Sequence, residues 1–378
     1  MIKTMVTQPD AITWAASGTP NADIEKQGLL TELQCTAEIT PSATLEGACQ
    51  PDSLSRVVQN LRITGRRLYT NLPADAGGQG GTLLRQMNLY DGHGVGHGPA
   101  SVTAPISAYT PMTWVMHFGS LHPLDPWDVS GFIPAFNESS LKLEWATTPN
   151  SVMDDTVTIS SASMRLTLHQ VIGNEREIVE EMRAQGVLGV LPPGVRGMTP
   201  AWSGQVEAIP SAATGWTTFT VEVPASGYLK RIGLLAQDAT ATRPVRATDE
   251  VSEIRLYSNK THEEIIRVNM EALSARLPQS TLLTADVGLT QAVNEGGTAT
   301  YTVTEGTAFD GHYCHGVAFI DLNKLAASRR QDLRTFGWNM SSFTKGDLEL
   351  GMIVDVYAAG DDLLVLWIVN EPYDGPLA

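Results

Sequence analysis

With 378 residues, 42% of them hydrophobic, the chain is long enough to bury a large core and to form two or three domains. Charged residues make up only 17% and the formal net charge is −16, which argues against a direct nucleic-acid surface of clustered Lys and Arg. Thr, Ser, Ala, Gly and Pro fill the place of the missing charges, a mixture that predicts many short strands with turn-rich connections.

The N-terminus, MIKTMVTQPDAITWAAS, lacks the apolar core of a secretion signal. It holds only Lys3 before Lys26 and includes Pro9, Gly18 and Pro20, so residues 1–22 are expected to form an extended arm. Strands are predicted at LLTELQCTAEIT (29–40) and RVVQNLRITGRRLYT (56–70), the second broken near Gly65. The apolar-striped TLLRQMNLY (82–90) predicts a short helix, and MTWVMHF (112–118) an apolar strand.

The next stretch, DPWDVSGFIPAFNESSLKLEW, changes character halfway. Asp125 suits an N-cap, Pro126 the first helical position and Asp128 the positive end of a helix dipole. Val129, Phe132 and Ile133 recur at helical spacing before Pro134, so a two-turn helix is expected. Leu141, Leu143 and Trp145 then alternate with Lys142 and Glu144 as a half-buried strand. DTVTISSASMRLTLHQVI (155–172) follows, its alternation clearest at Met164, Leu166 and Leu168. Several strands with no βαβ rhythm predict an antiparallel sandwich over residues 23–172.

Asn174 can cap a helix whose first turn is acidic and which Gly186 stops. With the Pro/Gly-rich VLGVLPPGVRGMTP behind it, this helix marks a boundary over residues 173–204. The remainder, 205–378, resumes the strands. In GWTTFTVEVP, Thr218, Thr220 and Glu222 alternate with Phe219, Val221 and Val223, and EIRLYSN (253–259) follows. In THEEIIRVNMEALSARLP, Thr261 and Glu264 read as a capping box, and Ile266, Met270, Leu273 and Leu277 as one helical face before Pro278. Strands return at TATYTVTEG, GVAFIDL, DLELGMIVDVYAA and DLLVLWIV. The apolar run Leu363–Val369 is too short to span a bilayer and reads as a strand buried on both faces. Both halves are runs of strands with one helix after an early strand, an order that suits two related sandwiches in tandem.

No catalytic, cofactor-binding or metal-binding residue is assigned. His93 and His97 are four apart, but surrounding glycines oppose a helix and Gly94 stands where a metalloprotease glutamate would be. His312, Cys314 and His315 could join them in a metal site only if the fold brought the two loops together. DAGGQGGTLL (75–84) lacks the Lys and Ser/Thr of a phosphate-binding loop, and no serine sits in a G-x-S-x-G elbow. Asp154 with Asp155, and Glu180 with Glu181, are adjacent pairs whose side chains diverge. The three cysteines, Cys35, Cys49 and Cys314, fit a protein made in a reducing cytoplasm, with free buried thiols favoured over a Cys35–Cys49 pair. Trp14, Trp114, Trp127, Trp145, Trp202, Trp216, Trp338 and Trp367 leave a rival open, a β-sandwich glycan- or receptor-binding protein with exposed aromatics; core packing is favoured for most of them.

The order apolar strand, HPLDPWDVSGFIPAF, then SSLKLEWATTPN resembles the major capsid proteins of tailless, membrane-containing icosahedral bacteriophages, the double jelly-roll lineage that includes the adenovirus hexon. The resemblance rests on the D-x-x-G step Asp128–Gly131, the LKLEF-like strand Leu141–Trp145, the Thr-rich ASMRLTLHQVI, and FGWNMSSFTKGDLELGMIVDVY near the C-terminus. It implies an all-β chain with a few inserted short helices, built as two tandem eight-stranded jelly rolls. It further implies a homotrimeric, pseudo-hexagonal capsomer in a virion shell, synthesised in the host cytoplasm, with inserted helices packing each roll against its neighbours. Partners implied are other copies of the chain, minor or vertex proteins and an internal lipid membrane. Without the family's basic or amphipathic N-terminal helix, the arm fits exchange between subunits as well as membrane contact. The loops Gly77–Gly81 and Gly92–Gly98 are expected to adapt their conformation.

Overall fold

The computed structural model describes residues 3–14, 19–41, 56, 58–74, 78–93, 110–147, 159–209, 216–220, 227–238, 245–246, 251–270, 287–293, 299–305, 316–322, 336–341, 343–344, 346–354 and 361–378. The first half contains β1 (Lys3–Thr7), β2 (Ile12–Trp14), β3 (Asn21–Asp23), β4 (Leu29–Pro41), β5 (Val58–Thr64), β6 (Leu68–Asn71), α1 (Gln79–Asp91), β7 (Thr110–His117), β8 (Lys142–Thr147), β9 (Ile159–Ile172) and α2 (Glu175–Ala184). The second contains β10 (Gly197–Pro200), β11 (Ser203–Ala208), β12 (Trp216–Thr220), β13 (Tyr228–Asp238), β14 (Val245–Arg246), β15 (Val251–Ser258) and β16 (Glu263–Asn269). It continues with β17 (Val287–Val293), β18 (Ala299–Glu305), β19 (Val317–Asp321), β20 (Trp338–Asn339), β21 (Leu348–Val354) and β22 (Asp362–Tyr373). All the strand ladders among the described residues are antiparallel, and each joins strands of the same half.

Two sheets face each other in the first half. One runs β1–β9–β4–β7 with β2 also on β9, and the other runs β3–β8–β5–β6. The predicted alternation is visible in what they bury: Met164, Leu166 and Leu168 from β9 meet Leu141, Leu143 and Trp145 in one core. The N-terminal arm is strand in part, for Lys3–Thr7 and Ile12–Trp14 both pair with β9 of the same chain. Cys35 lies in this core as a free thiol, and burial pushes its pKa up.

In the second half, β10–β22–β13–β14 with β11, β19 and β20 forms one sheet, and β12–β21–β15–β16 another. β22 explains its own apolar run. Leu363, Val365, Trp367 and Val369 enter the core between these two sheets, whereas Leu364, Leu366 and Ile368 join the first half's core. With both faces covered, no polar alternation can survive. α1 lies between the halves, packed on β5 and β7 on one side and on β13, β19 and β22 on the other.

Three expectations are corrected. The helix expected over Asp125–Pro134 is a succession of turns ending in a 3-10 turn at Ala135–Asn137. The Asp128 carboxylate accepts hydrogen bonds from the backbone N–H groups of Leu121, His122 and Ser130, and Asp125 from that of Trp127. Asp and Ser side chains thereby offer the backbone an alternative to helical pairing. The helix expected from Thr261 is strand β16, because pairing with β15 satisfies its backbone while the Ile–Ile–Arg–Val run suits a pleat. Thr261 N–H donates instead to the Ser258 hydroxyl in the hairpin turn, while Leu273 and Leu277 lie outside the described residues. Part of the loop expected over the glycines 77–81 is helix, while Gly78 lies outside it at φ 75°. Gly80 and Gly81 begin α1, and a Cβ on Gly80 would run into the Pro73 carbonyl. By contrast, Asn174 caps α2 as expected, closing a capping box with Glu177, and Gly186 ends that segment at φ 78°.

Among the described residues no helix is long and apolar enough to cross a membrane.

Candidate functional site: a buried ionic seam between the two halves

Five strands each place a polar side chain where an apolar one is expected. They are Glu32 on β4, His117 on β7, His169 on β9, Arg231 on β13 and Asp321 on β19, all buried except His117, whose side chain is still only 6% exposed. A charge inside a sheet is costly unless paired. The structure pairs them in two knots, one where the halves meet and one on the first half's sheet β9–β4–β7.

Arg231 is its centre. Its guanidinium grips Asp91, the last residue of α1, with both terminal nitrogens, at 2.8 Å to Oδ2 and 2.7 Å to Oδ1. It also reaches Asp321 Oδ2 at 3.3 Å and stacks 4.7 Å over the Tyr90 ring. Burial opposes charge on Arg231, but the two aspartates outweigh it and hold the guanidinium firmly protonated. Burial likewise raises the Asp91 pKa; the Arg231 charge and hydrogen bond reverse this and leave it below the usual carboxylate range. Half-buried Lys230, the unpaired residue of a bulge in β13, donates to the Gly119 carbonyl at 3.1 Å.

A second knot lies in the first half. Glu32 Oε2 meets His117 Nδ1 at 3.1 Å, and its Oε1 lies 3.4 Å from His169 Nδ1. His117 Nε2 is 4.0 Å from Asp128 Oδ2, and the His93 ring lies 5.9 Å from the His117 ring. Burial raises the Glu32 pKa, but hydrogen bonds from His117 and Gln34 and the charges of both histidines bring it below its usual value. Burial lowers the His169 pKa against the attraction of Glu32, and lowers that of His93 with help from His117.

The stretch 119–137 ties these knots together. Ser120 Oγ accepts from Asn370 Nδ2 of β22, and Thr31 donates to the Pro126 carbonyl. Gln185, just past α2, accepts from Val129 N–H and donates to the Trp127 carbonyl. Phe132 N–H bonds the Met198 carbonyl of β10, and its ring meets Tyr373 edge-on at 5.5 Å. Val129 and Phe132 complete a small core with Leu29, Val171, Ile178, Met182, Val187 and Leu377. Trp127 covers His169 at 5.0 Å. The insertion therefore packs against its own chain, joining the first half, α2 and the C-terminus.

Chemically, the seam is a lock. Arg231 lies between Asp91 and Asp321, and Glu32 between His117 and His169, so the polar groups hold one another. Among the described residues no group of three or more His, Cys, Asp or Glu is arranged to hold a metal ion. Of the histidines singled out by spacing, His93 joins the seam, while His97, His312, Cys314 and His315 lie outside the described residues. Asp154 and Asp155 also lie outside them, and Glu180 pairs on the α2 surface with Arg176. Trp114, Trp145, Trp202 and Trp367 are core residues; Trp127, Trp216 and Trp338 are half-buried. Motif spacing does not reveal the seam. Its signal is a charge or imidazole within an apolar strand, as in LKRIGLLA, AFIDL and VMHF.

No family model matches the sequence, and no curated protein matches it. Solved structures do. The STIV major capsid protein, in its crystal structure, matches over 98% of this chain and 97% of its own, with 16% identity and a TM-score of 0.63. A chain of the atomic structure of Sulfolobus Turreted Icosahedral Virus matches over 98% and 91%, with 16% identity and a TM-score of 0.65. PBCV-1 VP54, in a crystal structure fitted into a reconstruction of the virophage Sputnik, matches over 98% and 93%, with 10% identity and a TM-score of 0.54. The chain has the double jelly-roll fold of these viral capsid proteins.

Proposed function

We propose that this chain is a major capsid protein, three copies of which form a pseudo-hexagonal capsomer in the shell of an icosahedral virus. The observation that carries the reading is the match to two capsid structures along nearly the whole length of both chains. A shared fold hosts many functions, but here the match includes both rolls together. In this reading the rolls span 23–172 and 205–378, the segment 173–204 joins them, and the arm 1–22 lies at the edge of the first. The chain performs no catalysis. It works through its contacts with other copies, with minor or vertex proteins and with an internal membrane, and resides in the virion.

The seam supports this reading. A shell subunit transmits load between its halves, and paired buried charges with a helix wedged between the rolls resist their sliding. The test is the mass of the purified chain by light scattering, followed by negative-stain microscopy at rising concentration. A stable particle of three times the chain mass that goes on to form sheets or shells is expected. A chain that stays single at every concentration and is retained on a glycan column overturns the reading in favour of the glycan-binding rival.

A further inference from the structure

Three adjacent strands carry one row of titratable side chains. Glu32 on β4 lies directly opposite His117 on β7 and His169 on β9. The neighbouring row, Leu33 with Met116 and Leu168, points into the first half's core, so the Glu32 row lies on the other face of the sheet. Residues Leu121–Asp128 cover that face. Trp127 meets His169 edge-on at 5.0 Å, and Asp128 Oδ2 lies 4.0 Å from His117 Nε2. Thr31, beside Glu32, donates to the Pro126 carbonyl at 2.6 Å.

Polar contacts hold this cover more than packing does. No side chain from Leu121 to Trp127 is fully buried, and Leu121 and Trp127 only flank the small core that buries Val129 and Phe132. The buried Asp128 carboxylate closes the segment on itself, accepting from Leu121 and His122 N–H at 2.9 and 2.7 Å. Gln185 ties it to the end of α2 by donating to the Trp127 carbonyl at 3.0 Å. The strands beneath are held instead by continuous ladders. Strain in the row is therefore relieved with least loss at the cover.

Protons supply the strain. Two carboxylates, Glu32 and Asp128, face three imidazoles: His117, His169, and His93, whose ring lies 5.9 Å from that of His117. The other charges in range are Asp91, which Arg231 already grips, and Lys230, a further cation. With all three imidazoles charged, the row carries an excess of positive charge away from water, a costly state. Burial lowers the pKa of His169 against the attraction of Glu32, and burial lowers that of His93; His117 lowers both further. Beneath the closed cover both are neutral at neutral pH, and they regain the ordinary imidazole value of 6.5 once water enters. The open form thus binds more protons, and acid below about pH 6.5 favours it.

We propose that Leu121–Asp128 is a proton-operated lid over the His117–Glu32–His169 row, shut at neutral pH and opened by mild acid while both rolls stay folded. The device acts within one chain and does not depend on the capsid reading.

The test is amide hydrogen exchange of the full-length chain at about pH 7.5 and about pH 5.5, either side of the imidazole range, with labelling times scaled for the slower intrinsic exchange in acid. Amides of the lid, above all Leu121 and His122, are expected to lose at least about tenfold in protection in acid, the equivalent of one pKa unit. The β13–β22 ladder keeps its protection. The double variant His93→Gln/His169→Gln, checked for folding by circular dichroism, is expected to keep the lid shut at both pH values. Should it fail to fold, the parent's contrast between lid and ladder still decides. A folded parent whose lid is equally protected at both pH values overturns the proposal. So does protection lost from lid and ladder together, or a folded variant whose lid opens in acid as the parent's does.

Discussion

The side-chain amide of Asn88 closes on the peptide of Val115 in both directions. Its Nδ2 donates to the Val115 carbonyl at 2.6 Å, and the Val115 N–H donates to its Oδ1 at 2.9 Å. A residue of α1 thus imitates a neighbouring strand along β7, at one edge of its sheet. An exposed edge invites pairing with other chains, and here one amide helps to blunt it.

Asn88→Ala leaves a buried donor and a buried acceptor on β7 without partners. The expected loss is about 2–4 kcal/mol of unfolding free energy, from two groups at the usual cost of an orphaned buried polar atom. Urea denaturation measures it, with faster amide exchange at Val115 as a local signature. A loss below about 0.5 kcal/mol, the range of ordinary surface changes, would show that the edge is held by packing alone.

Arg231→Ala strands Asp91 and Asp321 in the seam and is expected to cost about 3–5 kcal/mol. Replacing the group together, as Arg231→Met with Asp91→Leu and Asp321→Leu, should recover most of that loss, because a well-packed apolar set escapes the desolvation penalty. The comparison of the single and triple variants by thermal unfolding decides. If the triple variant is no more stable than the single one, the seam is held by its specific ionic geometry.

The pH dependence follows from the signs of the shifts. His93 and His169 have lowered pKa values, so the unfolded chain takes up protons before the folded one as pH falls below the usual imidazole value of 6.5. Glu32 and Asp91 are also lowered. Their contribution is present above their usual values of 4.5 and 3.8 and is lost as pH falls through the lower folded values. Stability therefore declines from about pH 6.5 and more steeply below 4.5. Urea midpoints at a series of pH values test this, with His93→Gln/His169→Gln expected to flatten the upper part of the decline. A parent midpoint that does not move between neutral pH and the carboxylate range contradicts it.

Gly131→Ala tests the insertion. A Cβ at this position would run into the Phe118 carbonyl, and Gly131 forms an isolated bridge to Met198. The methyl must push apart two backbone segments that cannot rotate away, so a loss of about 1–3 kcal/mol is expected. Gly189→Ala is the control, because a Cβ there meets nothing within 4 Å. Equal melting temperatures for the two variants would mean that the insertion yields easily.

Where an element is decided by its own residues, it is legible in the sequence. The Asn174/Glu177 box closes within one helical turn, the alternation along β9 reports one buried face, and the unbroken apolar run of β22 reports two. The strand-rich character and the low charge follow from composition alone. Tertiary structure decided the rest, because the deciding partners are distant in the chain. Asp128 could start a helix, but its carboxylate is spent on N–H groups six and seven residues earlier. Glu263–Asn269 has both helical and pleated patterns, and the waiting edge of β15 settles it as strand. The charges of Arg231 and Asp91 lie 140 residues apart and find each other only when α1 is wedged between the rolls. Local signals suggested a two-turn helix in DPWDVSGFIPAF; its backbone hydrogen bonds and its small core make it the joint of its own chain.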